Sequence, residues 1–111
     1  MHLANSTATS DSERVICTAT LTNTGTVSAS EVVQLYVSYP EAAREPPKLL
    51  KSFAKVHLEA DQSTDVLLEV LMDDLRIWSE QTKDWDFVHG EYNFLVGFSA
   101  SDIKVKGEIV L

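Results

Sequence analysis

The chain has 111 residues, 44% of them hydrophobic and 23% charged, with 9 basic against 17 acidic side chains and a net charge of −8. That length suits one hydrophobic core and falls short of two, and the composition is that of a folded chain, not a disordered or fibrous one. The negative charge repels phosphate backbones and anionic headgroups, and no apolar run approaches the ~20 residues that span a bilayer, so neither nucleic acid nor membrane is expected as a partner.

The first residues, Met1-His2-Leu3-Ala4, lack the basic and apolar regions of a secretory signal. Asn5-Ser6-Thr7 is an N-glycosylation acceptor triplet, which makes Asn5 a glycosylation candidate only if the protein is secreted. Residues 1–13 are read as a loosely ordered lead-in to a single domain spanning 1–111. From there Val15, Cys17, Ala19 and Leu21 alternate with Ile16, Thr18, Thr20 and Thr22, the period-two pattern of a half-buried strand. Asn23-Thr24-Gly25 ends it with residues that tolerate positive φ, and Val33, Leu35 and Val37 begin the next alternation. The chain has a single cysteine, so Cys17 has no intrachain disulfide partner and no multi-cysteine zinc site exists; mid-strand among apolar neighbours, it should be buried and inert.

The stretch from Tyr39 to Pro47 contains all three prolines, which remove backbone donors and fix φ, so it is expected to be an exposed loop. Leu50 to Leu58 resumes an extended pattern with lysines among apolar residues, Ala60-Asp61 turns the chain, and Val66, Leu68 and Val70 mark another strand. Met72 to Trp78 is too short for a free-standing helix and reads as a connector with one helical turn begun by an aspartate cap. Trp85 and Phe87 alternate with Asp84 and Asp86; after Gly90, Tyr92, Phe94, Val96 and Phe98 form one apolar stripe, and Ile103, Val105, Ile109 and Leu111 close the sequence. About seven or eight short strands without a long helix predict an all-β fold, a two-sheet antiparallel sandwich of immunoglobulin or fibronectin type III kind, with a small closed barrel as the alternative.

No residue pattern makes a convincing reaction centre. Asp84 and Asp86 point to one strand face, normally the solvated one, whereas paired-carboxylate chemistry needs the two to face each other across a cleft. His57 and His89 are far apart in sequence, and neither has a second ligand at helical or hairpin spacing, so no metal or other cofactor is expected. Trp85, alternating with Phe87, is expected in the core; Trp78, on a connector, is open to either assignment. Arg44, Lys48, Lys51 and Lys55 gather positive charge around the proline loop, which suits either protection of a strand edge or an acidic partner.

The string Leu21-Thr22-Asn23-Thr24-Gly25 followed by Glu31-Val32-Val33-Gln34-Leu35-Tyr36-Val37, then Glu45-Pro46-Pro47-Lys48-Leu49-Leu50-Lys51-Ser52-Phe53, Lys55-Val56-His57-Leu58, Asp74-Leu75, and Gly90-Glu91-Tyr92 with Val96-Gly97-Phe98-Ser99, resembles the fibronectin type III-like domain at the C-terminal end of family 3 glycoside hydrolases. The proline-rich loop and the two tryptophans look most like secreted fungal β-glucosidases. The sequence departs from the family at Ala60-Asp61, where Pro-Gly is usual, and at Ser28-Ala29-Ser30, which predicts looser turns there. The resemblance implies a non-catalytic, extracellular module that packs on catalytic domains outside this sequence, since nothing here corresponds to the family's catalytic carboxylates. It implies a contact surface on the proline loop, at Tyr39, Arg44, Pro46, Pro47, Lys48 and Leu49. The alternative is a module that binds plant-wall polysaccharide or lignin through exposed aromatics, for which Trp78, Trp85 and Tyr36 are the candidates.

Overall fold

A computed structural model describes residues 1–43 and 48–111. Strands β1 (His2–Ser10), β2 (Arg14–Thr22) and β5 (Ser63–Leu71) form one antiparallel sheet in the order β1-β2-β5. Strands β3 (Ala29–Ser38), β4 (Leu49–Leu58), β8 (Glu91–Ser99) and β9 (Asp102–Val110) form a second in the order β4-β3-β8-β9. A short ribbon of β6 (Ile77–Ser79) and β7 (Asp84–Asp86) stands apart from both. The two large sheets face each other without joining at their edges, with β1 beside β9 and β4 beside β5, so the molecule is the expected sandwich and not the closed barrel.

The core follows from the period-two pattern. Val15, Cys17, Ala19 and Leu21 of β2 and Val66, Leu68 and Val70 of β5 are buried against Val33, Leu35 and Val37 of β3 and Tyr92, Phe94 and Val96 of β8. Each large aliphatic side chain removed from water contributes roughly 1.5–3 kcal/mol, which is why these strands cannot slip by one residue without exposing the whole set. Tyr92 is fully buried and keeps its hydroxyl satisfied by donating it to the Val88 carbonyl, a bond back to the chain just upstream of its strand that fixes how β8 enters the sheet.

Several local expectations change. Residues 2–10, read above as a lead-in, form the edge strand β1, paired with β2 from His2↔Thr22 to Ser10↔Val15 around a bulge between Ala4 and Thr7. β2 and β3 lie in different sheets, so Asn23-Thr24-Gly25 starts a crossover between them. Asn23 is not among the residues with positive φ; the chain turns because its buried side-chain oxygen accepts from the Gly25 amide at 3.0 Å while its amide donates to the carbonyls of Val27 at 2.9 Å and Leu58 at 3.2 Å. The Ala60-Asp61 turn is tight: Asp61 takes the left-handed conformation at φ 61° and donates its backbone N–H to the Asn23 carbonyl at 3.0 Å. The helical turn Met72–Leu75 has Leu71 at its N-cap with no side-chain cap; the Met72 amide is instead satisfied by the Glu13 carbonyl at 2.8 Å, and the buried Leu75 anchors the turn.

Candidate functional site

Three surfaces carry the candidate residues, and the first is the ribbon. Trp78 and Trp85 are directly opposed in the β6–β7 pairing and therefore share a face, where their rings meet edge-on with centroids 5.7 Å apart and planes at 77°. Trp78 is 48% and Trp85 60% exposed, so Trp85 is not a core residue. Alternation predicts burial only where a second layer covers one face, and a two-stranded ribbon outside the sandwich has none. Asp84 and Asp86 are also exposed, and each carboxylate accepts from the next backbone amide, Trp85 at 2.7 Å and Phe87 at 2.9 Å. They are solvated side chains tied to their own strand, not a facing pair.

At the foot of the ribbon, a cleft of about 450 Å³ is bounded by Trp85, Lys51, Asp73, Asp74 and Arg76. Lys51 spans it, donating to the Asp74 carbonyl at 3.0 Å while lying 5.7 Å over the Tyr39 ring. A second open cleft of about 530 Å³ lies between the β1–β2 turn and Phe87, with Asp11, Arg76, Asp86 and His89 on its walls. Asp11 is held below the usual carboxylate range because the backbone amides of Glu13 and Arg14 donate to it, so it serves the β1–β2 turn as an anionic cap. The ribbon and its clefts, with an indole face, carboxylates and a guanidinium, can stack and hydrogen-bond a polar ring. His57 bonds Ser30 at 2.9 Å and His89 packs on Phe87 at 5.2 Å; among the described residues, no three His, Cys, Asp or Glu side chains gather into a possible metal cluster.

The proline loop is the second surface. Arg44, Pro46 and Pro47 lie outside the described residues. Tyr39 is half-buried with its ring 5.4 Å from that of Tyr92, so it closes one end of the core; Leu49 is half-buried and pairs with Val37. Lys48 is half-buried and donates to the Ala100 carbonyl. Asn5 is exposed at the bulge of β1 with φ 54°, where its amide is accessible.

The third surface was not expected from the sequence. It is the outer face of the four-stranded sheet, where Tyr36 sits between Leu50 and Leu95 in one cross-strand row and Phe53 stands opposite Gln34. Tyr36 is thus half-buried on a different sheet from the tryptophans and does not join them in one platform. A signal was present: Phe53 is in phase with Lys55 and His57, not with Ala54, Val56 and Leu58, which places it on the outer face.

The sequence of residues 31–100 matches the model of the fibronectin type III-like domain. The chain belongs to that family. It is 41% identical over 93 residues to a probable β-glucosidase N of Emericella nidulans, a match that covers 84% of this chain and 14% of that protein. Among solved structures, a GH3 β-glucosidase of Bifidobacterium adolescentis superposes with a TM-score of 0.92 at 34% identity, covering 99% of this chain and 17% of that one. The β-glucosidase D2-BGL of Chaetomella raphigera gives a TM-score of 0.82 at 36% identity, over 86% of this chain and 14% of that one. The resemblance to the fibronectin type III-like domain of family 3 glycoside hydrolases therefore holds, and the chain spans about one seventh of the length of these relatives. It corresponds to an accessory module and contains no counterpart of their catalytic domains.

Proposed function

We propose that this fibronectin type III-like module, one domain over 1–111, acts as a non-catalytic support that packs on the catalytic domains of a secreted family 3 β-glucosidase. The observation that carries this reading is the coverage: a two-sheet core in which 84–99% of the chain is matched to only 14–17% of β-glucosidases that are each several times longer. The proline loop from Tyr39 to Leu49, which includes a 3-10 turn at Glu41–Ala43, contributes to the contact in this reading, because paired prolines lower the entropy lost on docking. Tyr39, Arg44, Pro46, Pro47, Lys48 and Leu49 are its candidate contact residues. Secretion agrees with the fungal β-glucosidases among the relatives and with the accessible Asn5 triplet, and a mass shift on deglycosylation that is absent in Asn5→Gln would report it.

A second reading has one observation in its favour, the exposure of Trp78 and Trp85, which suits stacking on plant-wall polysaccharide or lignin. Their edge-on arrangement offers one ring face at a time instead of the coplanar platform that a flat polymer surface prefers. Pull-down on cellulose and on lignin, using the native chain, a Tyr39→Ala/Leu49→Ala variant and a Trp78→Ala variant, each verified as folded, separates the readings. The support reading expects no retention in any case. Retention abolished by Trp78→Ala alone would replace it with the binding-module reading. The isolated chain is also expected to leave an aryl β-glucoside unhydrolysed above the buffer rate; turnover lost in an Asp84→Asn/Asp86→Asn double variant would overturn the non-catalytic assignment.

A further inference from the structure

The two sheets of the sandwich have outer faces of opposite character. On the three-stranded sheet, the outer face is a ladder of polar cross-strand pairs: Thr20 donates to Asp65 at 2.9 Å, Thr22 bonds Ser63 at 2.7 Å, and Arg14 pairs with Glu69 at 3.0 Å. Leu67 and Leu71 are exposed there, but they stand opposite Thr18 and Arg14 with Glu69 between them, so the apolar side chains are interrupted by polar ones. Such a face is finished for water.

The four-stranded sheet is different. Leu50, Tyr36 and Leu95 form a continuous apolar row across β4, β3 and β8, with Phe53 in the next row. Phe53 is 68% exposed and Leu50 49%, both on the edge strand β4, and the Tyr36 hydroxyl beside them donates to the Gln34 side chain. Ion pairs and hydrogen bonds flank this patch: on β9, Lys106 pairs with Glu108 at 3.1 Å and Lys104 with Asp102 at 2.8 Å, while Ser30 and His57 bond each other at the far end of β3 and β4. A contiguous aromatic and aliphatic patch flanked by polar pairs is a feature of protein interfaces. A bulge shapes it: β3 and β4 lose register between Leu35 and Tyr36, so Lys51 has no partner in the ladder and Leu50 is turned onto the same face as Phe53.

We propose that this face, centred on Leu50, Tyr36, Phe53 and Leu95, is where the catalytic body of a family 3 β-glucosidase sits. The proposal rests on the support reading above and names its principal contact. The occupant follows from the chain length of the relatives: the match to this chain covers only 14% of Emericella nidulans β-glucosidase N, so most of such a polypeptide lies outside the matching module. Charge agrees as well, because Lys55 lies at the margin of the patch, paired in register with Val32, and makes no ion pair among the described residues. The body is expected to bring a carboxylate to it.

The test grafts this chain into Emericella nidulans β-glucosidase N in place of that enzyme's own matching segment, and follows calorimetric unfolding and trypsin release of the module. Leu50→Asp/Phe53→Asp disrupts the face, and Leu67→Asp on the other sheet is the control of matched exposure. Both variants, as isolated chains, should melt within about 3 °C of the native chain, since the substituted side chains are exposed. The native graft and Leu67→Asp should unfold in one transition. The double variant should show a separate module transition and at least about tenfold faster trypsin release, as expected when central interface residues are lost. A native graft whose module melts independently would sink the support reading itself. A single transition retained by the double variant, or split by Leu67→Asp instead, would overturn the face while leaving that reading intact. So would sedimentation of the isolated chain as a dimer that Phe53→Asp dissociates, because the occupant would then be a second copy.

Discussion

Replacing Asn23 by alanine tests how the crossover between the two sheets is held. Its side chain is only 3% exposed, yet it makes three hydrogen bonds, accepting from the Gly25 amide and donating to the Val27 and Leu58 carbonyls. Its backbone adds two more, with N–H to the Gln62 carbonyl at 2.9 Å and C=O from the Asp61 amide at 3.0 Å, so one residue ties the β2–β3 crossover to the β4–β5 turn. Alanine keeps the backbone bonds and removes the other three, each contributing about 1 kcal/mol net, one of them to the Leu58 carbonyl in a buried site. The expected loss is about 3 kcal/mol, or roughly 13 °C in Tm for a domain of this size. Urea unfolding at constant slope measures it. Asn23→Asp sharpens the test, because its carboxylate still accepts from Gly25 but faces two carbonyl oxygens. Its pKa should rise above the unfolded value of about 3.9, so this variant should be most stable below that value and lose ground as pH rises through the raised pKa. A loss below about 1 kcal/mol in Asn23→Ala would show that the backbone bonds alone hold the turn and would refute the argument.

Three further predictions concern other parts of the frame. A Cβ on Gly97 would lie 2.2 Å from the Asp102 carbonyl oxygen and 2.7 Å from the Ile103 Cα, whereas one on Gly107 would meet only the Ala8 side chain, at 3.1 Å; Gly97→Ala should therefore cost about 3 kcal/mol and Gly107→Ala clearly less, and equal losses in chemical denaturation would contradict this. Asp61 occupies the left-handed region that glycine enters freely, so Asp61→Gly should stabilise the chain by up to about 1 kcal/mol, and a lowered midpoint would show that the aspartate side chain holds the turn. Burial pushes the Cys17 thiol up to about 11 and the Tyr92 phenol up to about 12, so the native protein should resist a thiol reagent at neutral pH and label rapidly only on unfolding. Both groups are raised above their ordinary values of 9.0 and 10.0, so the stability each contributes is complete below those values and is lost as pH rises to about 11 and about 12. Fast native labelling, or a phenolate absorbance step near pH 12 that survives in Tyr92→Phe, would contradict the placement of these residues.

The sequence by itself determined which residues fill the sandwich. Val15, Cys17, Ala19 and Leu21, or Val33, Leu35 and Val37, alternate in hydrophobicity because each strand is covered on one face, and that pattern is local to the strand. The family resemblance was legible for the same reason, carried by short strings within strands and turns. Tertiary structure decided whatever depends on a second layer or on register. Trp85 alternates with Phe87 just as core residues do, yet it is exposed because no sheet covers the β6–β7 ribbon. Asn23 reads as a turn former, but its burial requires the Val27 and Leu58 carbonyls, the latter 35 residues away in sequence. Leu50 and Phe53 differ by an odd number of positions and should lie on opposite faces of β4; the bulge at Lys51 puts them on one, and only the pairing with β3 reveals it. A period of two records which side of a strand a residue takes, and it carries no information about what, if anything, lies on that side.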